Sequence, residues 1–349
     1  MSAAKPGHVR PLDLRHGRVD LSHGSGGRAM AQLIEELFAA ALANEHLDRG
    51  DDGAVLPTVS GRLVLSTDAH VVSPLFFPGG DIGCLSVHGT VNDVAVMGAR
   101  PLWLAASFIL EEGFPLATLQ AIVASMAAAS RAAGVPVVCG DTKVVERGHA
   151  DGVFITTTGV GVLREGAAPG GARARPGDAI LISGSIGDHG MAVMSRRENL
   201  EFSAPIVSDT AALHGLIETL LDAVPDIHVL RDPTRGGLAT TLNEIAGQSG
   251  VGMLIDEASI PVKPAVAAAC ELLGLDPFYV ANEGKLVAIC AERDAQTLLA
   301  KLCAHPLGRD AAVIGRVQAD DQHFVQMRTR LGGRRIVDWL AGEQLPRIC

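Results

Sequence analysis

The chain has 349 residues, of which 48% are hydrophobic and 19% are charged, and its formal net charge at pH 7 is −10. An acidic chain without a compensating basic tract does not favour nucleic acid or an anionic membrane as its main partner. A chain of this length also exceeds the size at which one hydrophobic core keeps growing, so two domains are expected.

The first half of the chain alternates between apolar patterns typical of helices and of strands. Residues 1–27 are polar and rich in glycine, which indicates a loop. Beyond them, apolar residues recur with the helical period in some segments and form alternating or continuous runs in others. The predicted helices are residues 28–47, 81–97 and 115–133, and the predicted strands are residues 62–66, 102–110, 135–139 and 153–163.

A stretch rich in proline and glycine, residues 167–177, has no periodicity and is the predicted domain boundary. The sequence thus predicts an N-terminal domain over residues 1–166, a C-terminal domain over residues 178–321 and a tail over residues 322–349. Alternating strands and helices in both domains indicate an α/β fold class. The second-half strands are predicted at 179–183, 251–255, 285–290 and 311–317, and the helices at 188–197, 208–223, 236–248, 263–273 and 294–304.

The cysteines of the chain form no CxxC pair, so a tetrahedral zinc site is not indicated. Several lie within apolar stretches, for example Cys139 and Cys290, where they behave as small buried hydrophobic residues in a reducing compartment. The N-terminus has no apolar signal core, and no apolar run approaches a membrane-spanning length. We therefore expect a cytoplasmic protein that does not enter a membrane.

Acidic residues recur at the predicted ends of elements in the first half. Asp52 follows a short turn, Asp68 ends a strand, Asn92 and Asp93 lie late in a helix, and Asp141 follows another strand. Clustered carboxylates hold hard cations, especially Mg²⁺ with bound phosphates. Each one alone is more typical of a turn or a helix cap, so the pattern predicts a metal–phosphate site only if the side chains converge.

A glycine-rich segment with Gly24, Gly26 and Gly27 precedes the first predicted helix. Such a loop can wrap phosphates through its backbone N–H groups. It lacks the Gly-Lys-Ser/Thr ending of a P-loop, and a flexible leader is the alternative interpretation.

Two further charged residues, Lys143 and Glu283, lie in predicted turns and could take part in catalysis. Lys143 comes two residues after Asp141 and could contact a phosphate, although a solvated surface lysine is the alternative. Glu283 lies in a tight connection before a strand, where it could act as a general base or be merely exposed.

The last residue of the chain is Cys349, so its thiol lies beside the α-carboxylate. A thiolate is a good nucleophile and group carrier, and a prenylation signal is excluded because no residues follow the cysteine. Considered alone, an accident of where the chain ends explains this thiol as well as a carrier role does.

Together these segments resemble the superfamily of ATP-dependent enzymes that includes aminoimidazole ribonucleotide synthetase, selenophosphate synthetase and thiamine monophosphate kinase. The resemblance extends over nearly the whole chain. It rests on the glycine-rich leader, Asp51-Asp52-Gly53, Ser66-Thr67-Asp68, Asn92-Asp93, Gly140-Asp141-Thr142 and Asp232 before a Gly-Gly helix start. It implies an N-terminal half that forms a β-barrel-like homodimer interface with helices outside, an α/β C-terminal half and a flexible C-terminal tail.

Within this superfamily, the final Pro346-Arg347-Ile348-Cys349 resembles the C-terminus of the HypE family of hydrogenase maturation factors. The resemblance implies that a HypF-type carbamoyltransferase loads Cys349 with a carbamoyl group, which the protein dehydrates to a thiocyanate with ATP and Mg²⁺. It also implies that the cyanide passes through a HypC–HypD-type complex to the iron of a [NiFe]-hydrogenase.

The same resemblance implies roles for single residues. Glu283 would be the base, Lys143 would assist deprotonation, and Arg347 would offset the α-carboxylate beside the thiol. The implied metal ligands are Asp52, Asp93 and Asp232, and the implied nucleotide-binding residues are Gly24, Gly26, Gly27, Asp68, Asn92 and Asp141.

Two other functions remain open on sequence grounds. Selenophosphate synthetase usually has a cysteine or selenocysteine in the glycine-rich leader, where this chain has His23 and Ser25 but no cysteine. A non-catalytic thiol carrier would need neither the acidic residues nor Lys143 and Glu283. ATP hydrolysis that depends on Cys349 would separate these functions.

Overall fold

A computed structural model describes residues 11–200, 202, 204–340, 342 and 345–349. The first ten residues of the predicted leader therefore lie outside the described residues. The described part of the leader contains a short 3-10 turn, Leu21–Gly24, and the first helix follows it. That helix begins as α1, Arg28–Leu33, continues through the π-helical segment Ile34–Ala39 and ends as α2, Ala40–Leu42.

The N-terminal domain is a four-stranded sheet with helices on one face. Its strands lie in the order β1-β6-β4-β5, and only β4 and β5 run parallel. The Asp81 side chain caps the first long helix by accepting a bond from the Gly83 N–H at 2.7 Å. The strands are β1 Leu63–His70, β4 Ala99–Glu111, β5 Val137–Val145 and β6 Val153–Leu163, the helices are α3 Ile82–Val96 and α4 Leu116–Ala133, and β2 Phe76–Phe77 pairs with β3 Gly80–Asp81.

Alternating exposure along the strands separates the two faces of this sheet. In β1, every second side chain packs under α3, while Leu63 and Leu65 on the other face are 62% and 70% exposed. Ile109 of β4 is also exposed on that open face. The strands β1 and β5 are the two edges of the sheet as described.

One helix bears on the expectation that no apolar run approaches a membrane span. By length and composition alone, α4 is apolar enough to cross a membrane, so that expectation is wrong for this helix. Its side chains Leu119, Ile122 and Met126 are fully buried in the N-terminal core, and α4 packs against α3. A core helix passes the same test.

The C-terminal domain is a mixed seven-stranded sheet in the order β13-β12-β9-β11-β7-β10-β8, flanked by helices. The strands are β7 Ala179–Ile182, β8 Val229–Arg231, β9 Gly252–Asp256, β10 Val287–Cys290, β11 Ala312–Gln318, β12 Val325–Arg328 and β13 Arg334–Ile336. The helices are α5 Asp188–Arg197, α6 His214–Ala223, α7 Gly237–Ser249, α8 Pro264–Leu273 and α9 Ala295–Ala304.

The segment predicted as a tail over residues 322–349 is largely part of the C-terminal domain. Strand β12 pairs in parallel with β9, and β13 pairs with β12. Val325, Met327 and Val337 are at most 1% exposed and belong to the core of that sheet. The domain boundary expected at residue 321 is therefore too early, because these apolar residues complete the sheet.

The end of the chain returns to the N-terminal domain. Ile348 is 3% exposed and packs in the core that also contains α3 and α4. Its backbone forms an isolated antiparallel bridge with Val72, just beyond β1. The last residues are thus docked between the two domains, rather than flexible as the resemblance implied.

Candidate functional site

Backbone bonds place Cys349 at the junction of the two domains. The Val71 N–H donates to the Cys349 carbonyl oxygen at 3.0 Å, and the Ser73 N–H donates to the Arg347 carbonyl oxygen at 3.1 Å. The tail therefore continues the N-terminal sheet for a few residues beside the end of β1. Its thiol faces the C-terminal domain, where it interacts with the carboxyl group of Glu283.

Glu283 is buried, with 3% of its surface exposed, and its Oε1 atom has no hydrogen-bond partner among the described residues. Burial raises the pKa of this carboxyl group well above 4.5, and the charges of Asp232, Asp209 and Asp68 raise it further. These surroundings favour the protonated form of the carboxyl group and make its carboxylate a stronger base than that of an exposed glutamate. This is the site's candidate for acid–base chemistry.

Three of the predicted acidic residues lie beside this pair. Burial raises the pKa of Asp232 to about 7, and the charge of Asp93 adds to the shift. Burial also raises the pKa of Asp93, while Asp68 adds a smaller contribution in the same direction. Mutual repulsion of this kind shows that the three carboxyl groups share one region of space.

The fold explains why Asp68, Asp93 and Asp232 converge. Asp68 lies within β1, two residues before its end, and the neighbouring Ser66 hydroxyl donates to Asp93 of α3 at 2.8 Å. Asp232 directly follows β8, which pairs antiparallel with β10 just after Glu283. Hence the end of one strand and the start of its neighbour bring Asp232 and Glu283 together.

Positive charge beside the Cys349 thiol comes from Arg235 rather than from Arg347. The charge of Arg235 opposes the rise in the pKa of the Cys349 thiol, which burial and Glu283 otherwise raise well above 9.0. Arg347 instead forms an ion pair with Asp151 at 2.7 Å. The role that the resemblance implied for Arg347 is therefore wrong, because its side chain is already paired with Asp151.

The pKa of Asp68 is the exception within the acidic group. Burial would raise it, but the nearby His70 imidazole and the charge of Arg235 outweigh burial and lower it. His70 is 2% exposed, and its Nε2 lies 3.3 Å from Asp68 Oδ2. Asp68 is therefore the member of the group that stays ionised most readily.

A cleft of about 750 Å³ opens beside these carboxylates. It is lined by acidic Asp93 and Asp232 together with the guanidinium groups of Arg62, Arg231 and Arg235. Its polar walls and its size fit a charged, drug-sized ligand. The residues around this cleft and the thiol are Asp68, Asp93, Asp232, Glu283 and Cys349, and we name them the Cys349 cluster.

The other predicted residues gather at the opposite edge of the N-terminal sheet. Asp141 and Lys143 lie within β5, not after its end, and form an exposed ion pair at 2.7 Å. The hydrogen bond from Lys143 lowers the pKa of Asp141. Asp52 is exposed and lines a second cavity of about 600 Å³ together with Asp141.

Strand register shows how far Lys143 is from the Cys349 cluster. Asp68 lies opposite Thr157, which lies opposite Ala106, which lies opposite Gly140. Three strand spacings separate Asp68 from β5, or about 14 Å. Lys143 also pairs with exposed Ile109, so it lies on the open face, whereas Asp68 is on the helix-covered face. Within one chain, Lys143 therefore does not reach the thiol.

The glycine-rich loop lies at this same edge. A Cβ at Gly24 would approach the backbone nitrogen of Val144 in β5 to 2.6 Å, so Gly24 permits close packing on the strand. Gly26 and Gly27 are exposed and have open space around them. We name Gly24, Gly26, Gly27, Asp52, Asp141 and Lys143 the β5 group.

Asn92 does not face either cavity. It is 1% exposed, and its side-chain amide donates to the carbonyl oxygens of Ala211 and Glu283. Its Oδ1 accepts from the Leu213 N–H at 2.7 Å. The prediction that Asn92 binds the nucleotide is therefore wrong in this structure. Asn92 instead holds the backbone of Glu283 against α3.

The carboxylates of the Cys349 cluster fit a hard divalent cation, because a cation would relieve their mutual repulsion. Within the described ranges, no three His, Cys, Asp or Glu side chains are already arranged to hold a metal ion. The predicted metal ligands Asp93 and Asp232 are brought together, whereas Asp52 lines the other cavity.

Sequence reasoning missed three residues around the docked tail: His189 and Arg197, which bond its backbone, and Arg235, whose charge acts on the thiol. His189 bonds to the Ile348 carbonyl oxygen, and Arg197 donates to that of Arg347. A histidine and an arginine at a helix start and end carry no sequence signal for these contacts, which depend on where the tail docks. Arg235 lies in the Asp232–Gly237 turn, and this turn was the available signal.

The chain matches the family model "AIR synthase related protein, N-terminal domain" over residues 50–163 and the corresponding C-terminal domain model over residues 175–328. It is 68% identical over 346 residues to the carbamoyl dehydratase HypE of Cupriavidus necator, with 99% of both chains covered. The carbamoyl dehydratase HypE of Escherichia coli is 48% identical over 336 residues, which is 95% of this chain and 99% of that protein.

Solved structures agree with these matches. A crystal structure of hydrogenase maturation protein HypE in complex with ATP has a TM-score of 0.91 and 53% identity, covering 94% of this chain and 99% of its own. A HypE–HypF complex contains a chain with a TM-score of 0.78 and 52% identity, covering 88% and 99%. The predicted two-domain α/β fold is confirmed, and the chain belongs to the HypE family within the AIR synthase related proteins.

Proposed function

We propose that this chain is an ATP-dependent carbamoyl dehydratase that acts on its own C-terminal cysteine. The product is an S-thiocyanate on Cys349, which supplies the cyanide ligand for [NiFe]-hydrogenase maturation. The observation that carries this proposal is the docked terminus, which presents the Cys349 thiol to the buried Glu283 carboxyl group beside a charged cleft. The two relatives described above, both named carbamoyl dehydratases, support the same activity.

The chemistry requires a base and a phosphoryl donor. The carbonyl oxygen of the S-carbamoyl group is a poor leaving group, so it attacks the γ-phosphate of ATP and ADP leaves. The amide nitrogen then loses its two protons as the C–O bond breaks, which yields the nitrile and inorganic phosphate. Glu283 is the group placed to take a proton, because its Oε1 is buried and unpartnered beside Cys349.

We place the nucleotide in the 750 Å³ cleft, whose arginines offset the triphosphate charge. Asp68, Asp93 and Asp232 would hold Mg²⁺, which would neutralise charge on the transferring phosphoryl group. The crystal structure of a HypE protein with ATP supports nucleotide binding by this chain.

Two features of the fold favour a homodimer in which each chain completes the other's site. The sheet has two edges, β1 and β5, and an open face with exposed Leu63, Leu65 and Ile109. A second copy that places its β5 beside β1 would close the sheets into a barrel and cover that face. Its β5 group would then lie one strand spacing, about 5 Å, from the strand that carries Asp68. Lys143 lies on the face that would line the inside of that barrel, so it would assist Glu283 from this second copy by reaching past the β1 edge with its long side chain.

The partners follow from the chemistry of the thiol. A HypF-type carbamoyltransferase would load Cys349, and the solved HypE–HypF complex supports that partner. A HypC–HypD-type complex carrying iron would accept the cyanide. The described cysteines are all free thiols, which is consistent with a reducing cytoplasm.

Intact-mass analysis tests the proposal directly. The protein is incubated with carbamoyl phosphate and the cognate carbamoyltransferase, and ATP with Mg²⁺ is added afterwards. We expect a carbamoyl adduct on Cys349 that loses one water only after ATP is added. An adduct on another cysteine, or one that never loses water, would contradict the proposal. A non-catalytic carrier would show the adduct without the loss.

A further inference from the structure

His189 forms a buried side-chain bond to the backbone next to the reactive thiol. Its Nε2 lies 2.7 Å from the carbonyl oxygen of Ile348, and its Nδ1 lies 2.8 Å from the Ser208 hydroxyl. The imidazole is 0% exposed and meets the Phe77 ring edge-on at 5.2 Å between centroids. Both ring nitrogens are therefore used, and the packing fixes the orientation of the ring.

The hydrogen-bond chain also fixes the tautomer of His189. A carbonyl oxygen only accepts, so Nε2 must carry the proton that is donated to Ile348. The Thr210 N–H donates to Ser208 Oγ at 3.1 Å, which leaves the Ser208 O–H free to donate to Nδ1. The neutral imidazole is thus held between the Ser208 hydroxyl, which donates to it, and the Ile348 carbonyl oxygen of the tail, which accepts from it.

This bond complements the backbone bonds that tie the tail to the strand edge. Those bonds use the carbonyl oxygens of Arg347 and Cys349, on the side of the tail facing residues 71–73. The Ile348 carbonyl lies between them and therefore points towards the C-terminal domain, where its oxygen accepts the hydrogen bond from His189. His189 is thus a fully buried link between the tail and the domain carrying Glu283, and Arg197 of the same helix adds a more exposed bond to the Arg347 carbonyl oxygen.

The ion pair formed by the tail's own arginine is much more accessible. Arg347 and Asp151 form an ion pair whose side chains are 54% and 44% exposed. Exposed ion pairs contribute little to stability, whereas a buried donor that loses its acceptor is costly. The free energy of docking therefore depends more on His189 than on the Arg347–Asp151 pair.

We propose that His189, oriented by Ser208, is the positioning residue that docks the C-terminal tail and holds Cys349 against Glu283. The tail must leave this position for its thiol to be loaded by another protein, so His189 sets the fraction of chains that are docked. Its role in dehydration rests on the proposed function. Its role in docking does not, so the two can be tested separately.

Docking is measured by the rate at which iodoacetamide alkylates Cys349 in the full chain, followed by peptide mass analysis. The exposed Cys303 is the internal reference in the same molecule. We expect His189→Ala to raise the rate at Cys349 about tenfold, the equivalent of one buried hydrogen bond, without changing that at Cys303. His189→Gln, whose amide can donate to Ile348, should fall between His189→Ala and the wild type.

The matched control is His228→Ala. His228 is another buried histidine of the same domain, where it pairs with Asp178 at 2.7 Å and not with the tail. Its replacement should leave the Cys349 rate unchanged. Equal acceleration in both alanine variants, or none in His189→Ala, would overturn the proposal. If His189→Ala does not fold, Ser208→Ala replaces it, and an unchanged Cys349 rate there would equally overturn the proposal.

The catalytic consequence is read from protein already carrying the carbamoyl group. In His189→Ala, we expect carbamoylation at least as fast as in the wild type, because more tails are undocked, and loss of water about tenfold slower. Slower carbamoylation with normal dehydration would contradict the positioning role. If the wild type itself never loses water, the proposed function fails, while the alkylation result still decides the docking role.

Discussion

The Cys349 thiol, half-buried at the end of the chain, lies beside the buried carboxyl group of Glu283. Burial raises the thiol's pKa well above 9.0, and the charge of Glu283 raises it further. Burial raises the pKa of Glu283 in the same way, and the hydrogen bond from the thiol opposes this only slightly. The docked, unloaded terminus is therefore a poor nucleophile. We infer that loading of the thiol occurs with the tail undocked.

Glu283→Gln should separate loading from dehydration. The amide keeps the size of the side chain but cannot take a proton, so carbamoylation should continue and dehydration should slow at least about a hundredfold. Intact mass against time measures both steps. The exposed Glu271→Gln on α8 is the control and should behave as the wild type. Normal dehydration in Glu283→Gln would show that another group is the base.

The mixing of inactive variants tests whether Lys143 acts from a second copy. Lys143→Ala and Glu283→Gln chains are unfolded together and refolded as mixed dimers. If each site takes Glu283 from one chain and Lys143 from the other, half of the dimers regain one intact site, which is about a quarter of wild-type activity. If both residues serve the same chain's site, every site in the mixture stays defective and no activity returns.

Asp232 should make the stability of the protein depend on pH. Its pKa is 3.8 in the reference state and about 7 in the folded chain. Between these values the folded state binds more protons than the unfolded state, so the free energy of unfolding falls as pH rises from about 4 to about 7. Asp232→Asn should flatten this decline, by up to about 4 kcal/mol for a shift of this size.

Thermal unfolding at several pH values measures the effect of Asp232. The exposed Asp310→Asn is the matched control and should keep the wild-type slope. Mg²⁺ with ATP should stabilise the wild type more at pH 8 than at pH 6, because ionised carboxylates bind the cation. The assignment would be contradicted if the melting temperature of the wild type rose steadily from pH 4 to pH 7 and Asp232→Asn had the same pH profile.

Replacements in β12 test whether the segment after residue 321 belongs to the C-terminal core. Met327 is 1% exposed in that core, so Met327→Ala should lower the free energy of unfolding by about 2–5 kcal/mol. Leu331, at the nearby hairpin tip, is 98% exposed, and Leu331→Ala should change it by less than about 0.5 kcal/mol. Similar effects from both replacements, measured by urea unfolding, would show that the hairpin does not pack as described.

Much of the fold could be predicted from the sequence because its helices and strands have strong apolar periodicity. Asp188–Arg197 and Val153–Leu163 have the predicted bounds. The strand β12, Val325–Arg328, could not be predicted in this way, because it is too short for a clear apolar alternation. Its apolar side chains are recognisable as core residues only once it pairs with β9. Helix α6 likewise begins at His214, later than predicted.

The candidate site was predictable in its residue types but not in its grouping. The acidic motifs and the terminal thiol indicate phosphoryl chemistry, and the resemblance implied roles for Glu283 and Cys349. Which edge of the sheet carries Lys143 depends on strand order, and no local pattern encodes that order. The buried bond from His189 to Ile348 depends on tail docking for the same reason.

The most direct test of the central claim is infrared spectroscopy of the protein loaded with isotopically labelled carbamoyl phosphate. After ATP and Mg²⁺ are added, we predict a nitrile band that shifts with the isotope, is absent in Cys349→Ser and appears as the carbamoyl adduct loses water. A carbamoyl adduct that persists with ATP present and gives no nitrile band would contradict the account.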